Sequence, residues 1–362
     1  MHIETLLMIM KEAGGSDLFI KSHAIPRIRI NGVVQPLKHP QITPGDIETL
    51  LEQLLNAQQL EQVRNCLDFD TAVHFPTIGR FRINLLHQQG EPGMVIRLIH
   101  VGILGFKELG LPDAIRRLAG EPRGLVLVTG AAGSGKSTTV AAMIQHINHS
   151  REGHIVTIED PIEYVFEDEC CIINQRQVGI DTHDFAAALK HVIRQSPDVI
   201  MIGEIRDLET IKTALSAAQT GHLVITTMHT SDIVQTLERI VNYYPDYLRG
   251  QVRFELSLAL RGIICQRLLP RVNSPGRVPA FEILLNSPAI RKFLVEGRHY
   301  DVLEEVRKNN AAGMCSLNQS LLLLVNEGAV DEETALHYSN NPDELRLNLR
   351  GLFTGLDTFQ SG

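Results

Sequence analysis

The chain has 362 residues, 44% hydrophobic and 21% charged, with a formal net charge of −8. That length suits two domains or one large one with a real core, and the composition is that of an ordinary globular protein. The acidic balance (pI near 6.0) argues against a nucleic-acid partner, which needs a basic face, and no apolar run approaches the ~20 residues of a transmembrane helix.

Cys66, Cys170, Cys171, Cys265 and Cys315 form no Cys-x-x-Cys pair. Neither a Cys-only zinc site nor a disulfide framework has a signature, so buried thiols in a reducing compartment are expected. Residues 1–17 read as an acid-bearing amphipathic helix without a basic head or cleavage site, which predicts a cytosolic protein.

In chain order, residues 3–13 predict a helix ended by Gly14-Gly15. Residues 18–20 and 27–30 predict strands, and Asn31-Gly32 is a hairpin signal. Residues 43–60 predict one helix, with Leu50, Leu51, Leu54 and Leu55 on its apolar stripe. Strand-like segments at 81–84 and 94–97 complete a small α+β domain ending near residue 100. A connector with Gly102, Gly105, Gly110 and Pro112 leads through a short helix to Arg123. From Gly124 the pattern becomes apolar strands at 125–129, 154–159, 199–203 and 223–228, spaced for crossover helices. That predicts a doubly wound, mostly parallel sheet with its ligand at the carboxyl ends of the strands. Segments 232–265 and 287–350 are expected to be mainly helical.

Residues 130–138, Gly-Ala-Ala-Gly-Ser-Gly-Lys-Ser-Thr, match the phosphate-binding pattern G-x-x-x-x-G-K-[ST] directly after the apolar run 125–128. Gly130, Gly133 and Gly135 free the backbone to form a concave nest of N–H donors, to which Ala131, Ala132, Ser134 and Thr138 add their backbone. Lys136 is expected on the β- and γ-phosphates and Ser137 on Mg²⁺, with a helix N-terminus aimed at the charge. These features predict a nucleoside-triphosphate site.

Cleaving a γ-phosphate takes a metal anchor, an oriented water and positive charge on the transition state. Downstream strand ends carry acids: Glu159, Asp160 and Glu163 after the second strand, Glu204 after the third. Gly203 stands where many such ATPases have Asp. His222 and His229 bracket the last strand, and position 229 suits a side chain that senses the γ-phosphate. A lone acid at a strand end is more often a cap; shared placement on one rim favours function for Glu204, Glu163 and His229.

Together these stretches resemble the type IV pilus retraction ATPases, the PilT/PilU family of secretion-type motor ATPases. The family's Walker A loop is similar to 130–138, its Asp box to 158–163 with 171–176, its variant Walker B to 198–207, and its His box to 220–230. Residues 14–20, 197–204 and 282–286 resemble the PilU branch more than PilT. Residues 289–298 are similar to the retraction branch's C-terminal motif, from which Lys292 and Val295 depart; Ala132 replaces a Thr common in the loop.

The resemblance implies an α/β fold: a PAS-like α+β domain (1–100), a linker (101–122), a RecA-like P-loop NTPase core (123–285) and a helical C-terminal region (286–362). It implies ATP and Mg²⁺ as ligands, with Ser137 and Glu204 toward the metal. On this resemblance Glu204, Glu163, Lys136 and His229 are expected to carry hydrolysis. Arg80, Arg82 and Arg97 are expected to reach the phosphates across a domain or subunit cleft, tying closure to the triphosphate. It further implies a homo-hexamer at the cytoplasmic face of the inner membrane, acting on a pilus platform protein, with a paralogous retraction ATPase as a further partner. The alternative is an accessory ATP-binding subunit that works only beside a partner motor.

Overall fold

The computed structural model describes residues 2–30, 32–99, 102–274 and 276–352. The chain divides into two units. One holds the described residues of Met1–Gly102 together with Pro161–Val165, the other those of Ile103–Asp160 and Phe166–Gly362.

In the first unit, α1 (Ile3–Glu12) buries Ile3, Leu6, Leu7 and Met10, an i, i+3, i+4, i+7 stripe. β1 (Asp17–Lys21), β2 (Arg27–Ile30) and β3 (Val33–Pro36) follow as antiparallel neighbours. The expected turn joins β2 to β3 with Gly32 at φ 85°; Asn31 lies outside the described residues. The single helix expected over 43–60 is two, α2 (Pro44–Leu54) and α3 (Ala57–Asn65). The Asn56 side chain accepts from Gln59 N while Gln59 Oε1 accepts from Asn56 N, and this reciprocal cap starts a second helix where leucine periodicity predicts one. β4 (Phe69–Phe75), β5 (Gly79–Gln88) and β6 (Glu91–Ile99) complete a six-stranded sheet, ordered β3-β2-β1-β6-β5-β4. Along β5, Phe81, Ile83 and Leu85 point into the core beside Leu18, Leu50 and Ile96. Arg80, Arg82 and Asn84 alternate onto the other face.

The second unit opens with α4 (Asp113–Ala119) and β7 (Gly124–Thr129). α5 (Lys136–Ser150), β8 (Gly153–Glu159), β9 (Cys171–Gln177), α6 (Phe185–Val192) and β10 (Val199–Ile202) come next. They are followed by α7 (Leu208–Gln219), β11 (Leu223–Met228), α8 (Ile233–Asn242) and α9 (Arg249–Ala259). β12 (Leu260–Pro270) and β13 (Arg277–Leu285) close a seven-stranded sheet, ordered β13-β12-β7-β11-β10-β8-β9. All its pairings are parallel except β12–β13. The four expected strands are the central β7, β8, β10 and β11. Helix was expected through 265, but 260–265 begin β12. Gly262 weakens a helix there, and Leu260, Ile263, Ile264 and Cys265 are buried against β7, where branched residues favour a pleated surface. Helices α10 (Pro288–Glu296), α11 (His299–Lys308), α12 (Leu317–Asn326), α13 (Glu332–Tyr338) and α14 (Pro342–Leu349) form the C-terminal region. Among the described residues no helix is long and apolar enough to cross a membrane.

Glu159 on β8 and Glu282 on β13 are buried carboxylates of this sheet. Glu282 on β13 is 4% exposed, and its Oε2 accepts from Ile233 N, at the start of α8, at 2.9 Å. Burial pushes its carboxyl up to about 7, reinforced by Asp232 and opposed by the Ile233 N–H and Arg267. A raised native pKa means that the folded chain holds this proton more tightly than the unfolded one. Its stabilising contribution is complete below the unfolded value of 4.5 and is lost as pH rises through about 7. Glu282→Gln is expected to remove a loss of about 3 kcal/mol across that range, measured by urea unfolding of both proteins at about pH 5 and about pH 8.

Candidate nucleotide site

β7 ends at Thr129, and the chain turns through residues 130–135 into α5. Gly130 has φ 148°, and a Cβ there would lie 2.4 Å from Gln266 O and 2.5 Å from Ser134 Oγ. Gly135 has φ 87°, and its Cβ would lie 2.8 Å from Gln266 Nε2. Only glycine suits either position. The loop is thus moulded against β12, and Thr139 Oγ1 on α5 donates to Gln266 Oε1 at 2.6 Å. Arg277 on β13 adds a bond to Gly133 O at 3.3 Å. Ala131, Ala132 and Gly133 form the exposed rim, and Ser137 stands in the first turn of α5. Lys136 is buried at 8% exposure and donates to Gly130 O at 2.7 Å and Ala131 O at 3.0 Å, so its ammonium lies over the loop. Ser134 Oγ is buried and has no hydrogen-bond partner among the described residues.

The strands next to β7, in order β11, β10 and β8, end at the same edge of the sheet and bring His229, Glu204, and Glu159 with Asp160 alongside the loop. Glu204, with its side chain 13% exposed, pairs with Arg206, and its Oε2 lies 3.1 Å from His229 Nε2. Arg206 also lies 3.5 Å from Asp160. On the other side His229 Nδ1 lies 3.5 Å from Lys136 Nζ. The bonding pattern assigns the tautomer: Nε2–H donates to Glu204, and Nδ1 faces the ammonium with its lone pair. Desolvation lowers the His229 pKa, helped by Lys136, Arg206 and Arg239, so the ring is neutral at neutral pH. Asp160, Arg206, Glu204, His229 and Lys136 form one chain of alternating partners across four strand ends.

Other residues singled out from the sequence take different places. His222 sits at the amino end of β11, its Nδ1 3.0 Å from Ala217 O, six strand residues away from the rim that holds His229. Gly203 O accepts from Thr227 Oγ1 at 2.6 Å, and a Cβ at Gly203 would come within 3.3 Å of Ile158 O. Arg80 and Arg82 stand on β5 and Arg97 on β6, all in the first unit, with Arg82 directly opposite Arg97. Two like charges across a ladder repel, and each has a carboxylate: Arg97 Nε lies 2.7 Å from buried Asp17, and Arg82 lies 3.5 Å from Asp70. Glu163 belongs to the short segment Pro161–Val165 that groups with the first unit.

Glu159, read from the sequence as a strand-end acid, is joined at the site by contributors that the sequence reading does not single out. Glu159 ends β8 buried, accepting from Thr157 Oγ1 at 2.6 Å and from Gln175 Nε2 at 3.1 Å. Arg206 stands two residues beyond Glu204 inside the Walker B-like stretch, a signal that was available. Gln266 and Arg277 had none, because only the β12–β13 pairing brings them to the loop. Beside the first turn of α5 opens a cavity of about 660 Å³, lined by Gly135, Thr138, Thr139, Leu268, Arg277 and Phe281 among others. That volume is in the range of small-molecule sites.

This sheet edge, with its phosphate-type loop and strand-end acids, is that of a P-loop nucleotide-binding protein. A family model described as type II/IV secretion system protein matches residues 2–334. The type IV pilus ATPase PilU of Pseudomonas aeruginosa is 39% identical over 350 residues, covering 97% of this chain and 92% of that protein. The type IV pilus retraction ATPase PilT of the same organism is 38% identical over 343 residues, covering 95% and 99%. The crystal structure of the pilus retraction motor PilT with bound ADP shares the two-sheet α/β fold at a TM-score of 0.87 and 42% identity, covering 94% of this chain and 98% of that one. The chain belongs to the type II/IV secretion system protein family, and its full-length likeness to PilU and PilT sets it among the pilus retraction ATPases.

The geometry makes His229 a reporter of its own neighbours. In the full chain labelled with ¹³C-histidine, its titration midpoint is expected below 6.5, and Lys136→Met, which removes a nearby positive charge, is expected to raise it. An unchanged midpoint in that variant would contradict the Lys136–His229 contact.

Proposed function

We propose that this chain is an ATP-hydrolysing subunit of the motor that retracts type IV pili. The observation that supports it most is the convergence of Lys136, His229 and Glu204 on one rim, over a loop that only glycine can shape. The names of the relatives supply the biological setting: a type IV pilus ATPase, a retraction ATPase and a retraction motor with bound ADP.

In this reading the N–H groups of the loop and of the first turn of α5 bind the β- and γ-phosphates. The Lys136 ammonium exchanges its carbonyl partners for phosphate oxygens, which attract it more strongly by their charge. The cavity beside Thr138 and Thr139 takes the base and ribose. The donor set suits Mg²⁺, since Ser137 and Glu204 offer hard oxygens. Bound there, Mg²⁺ supplies positive charge to the phosphate oxygens.

Glu204 is held in orientation by Arg206 and His229, and Glu163 orients and deprotonates the attacking water. His229, bonded to Glu204 on one ring nitrogen and facing Lys136 on the other, senses the γ-phosphate. Arg80, Arg82 and Arg97 join the phosphates from the first unit; exchange of Asp17 and Asp70 for phosphate ties that unit to the triphosphate state. In this reading the chain comprises a PAS-like domain (1–100), a linker (101–122), a RecA-like core (123–285) and a helical C-terminal region (286–362). Six copies close a ring at the cytoplasmic face of the inner membrane and act on a pilus platform protein, beside a paralogous ATPase.

Phosphate release by the purified chain with Mg-ATP is expected to be lost in Glu204→Gln, with ATP binding retained. Lys136→Ala is expected to lose both binding and release. Binding without release by the unaltered, folded chain would support the accessory-subunit reading instead. Unchanged turnover in Glu204→Gln would remove Glu204 from the mechanism.

A further inference from the structure

The loop that carries His229 runs four residues, 229–232, from the end of β11 to α8. Its near end is fixed by the sheet, and Thr230 Oγ1 bonds Thr236 Oγ1 at 2.7 Å. Its far end is gripped from the β12–β13 pair. Glu282 Oε2 accepts from Ile233 N at 2.9 Å, and Arg267 donates to Ser231 O at 3.5 Å. Arg267 also donates to Tyr338 O and, at 2.5 Å, to Asn340 Oδ1 in the C-terminal region. Asp232 completes the join by capping α8 through Gln235 N at 2.8 Å.

A buried carboxyl is a costly way to satisfy one helix N–H, because an exposed cap such as Asp232 does the same work in solvent. Glu282 lies opposite Cys265 on β12, and Cys265 lies opposite Thr129 on β7, the residue before Gly130. The grip on the His229 loop and the root of the phosphate loop thus share one line of paired residues across three strands. Strands held in register do not slide individually, so a group fixed at Glu282 is fixed relative to the phosphate loop as well.

We infer that Glu282 and Arg267 are positioning residues for His229: they hold loop 229–232 in the one register in which the His229 ring spans Glu204 and Lys136. Arg267 extends this hold to the C-terminal helices, so a displacement at Tyr338 or Asn340 is felt at Ser231. The inference rests on the reading of His229 as the γ-phosphate sensor. A positioning role needs only a hydrogen-bond acceptor of the right shape at 282, so glutamine serves and alanine does not. The raised carboxyl pKa agrees, since the buried group is held partly as the neutral acid, which glutamine mimics.

The test uses the full chain and two readouts, the ¹⁵N chemical shifts of the His229 ring at one fixed pH and ATP turnover. Held between Glu204 and Lys136, the ring keeps one tautomer, and Glu282→Ala is expected to let the loop relax and bring the two ring nitrogens toward averaged shifts. It is also expected to lower kcat about tenfold with KM changed less than about twofold, because the phosphate loop keeps its own contacts. Glu282→Gln is expected to restore both. Arg267→Ala is expected to move the ring shifts in the same direction and serves where Glu282→Ala does not fold. A folded Glu282→Ala or Arg267→Ala protein with unaltered ring shifts overturns the inference. If the ring shifts move as expected and the unaltered chain shows no turnover, the positioning holds and the ATPase reading fails instead.

Discussion

The site depends on parallel strands β7, β11, β10 and β8 that end along one edge in their spatial order. Each contributes the residues at or just past its carboxyl end: the phosphate loop, His229, Glu204, and the pair Glu159–Asp160. Because neighbouring strands are about 4.8 Å apart, side chains from successive strand ends fall within reach of one another. The chain of partners from Lys136 through His229, Glu204 and Arg206 to Asp160 keeps to the strand order step by step. Shifting one strand by one residue would turn its terminal side chain to the other face and break this chain.

Electrostatics then sets each group's state. Glu204 is largely enclosed, and a carboxylate removed from water is stable only with partners, which Arg206 and His229 provide. Burial, reinforced by the cations Lys136, Arg206 and Arg239, lowers the His229 pKa and keeps its ring neutral, which leaves one nitrogen to donate and the other to accept. A neutral ring between an acid and an ammonium responds to whatever draws the ammonium away. That is the physical basis for treating it as a sensor of phosphate at Lys136.

The antiparallel β12–β13 pair, outside the parallel core, shapes the site from the other side. Gln266 forces glycine at two loop positions, Arg277 bonds the loop, and Glu282 holds the start of α8. In the first unit the alternation of β5 puts Arg80 and Arg82 on one face and Phe81 and Ile83 on the other. The same period-2 rule therefore builds a hydrophobic core and displays arginines.

Local chemistry was legible in the sequence. The glycine spacing of 130–135 predicts a left-handed, tightly turned loop because no other residue adopts those angles without strain. Continuous apolar runs predict the central parallel strands because both faces are covered. The same runs put Glu159, Glu204 and His229 at or just past the carboxyl ends of β8, β10 and β11. The extra strand β12 and the split of the helix at Asn56 were missed. Periodicity does not distinguish a buried strand from a buried helix, and a cap competes locally with a leucine stripe. The roles of Gln266, Arg277 and Glu282 came from strand pairing alone. They lie more than a hundred residues beyond the phosphate loop in the chain, and the contact exists only because β12 joins β7 in register. Sequence by itself determines which backbone conformations and charges are possible; tertiary structure decides which of them meet, because hydrogen-bonded register is a property of two segments together.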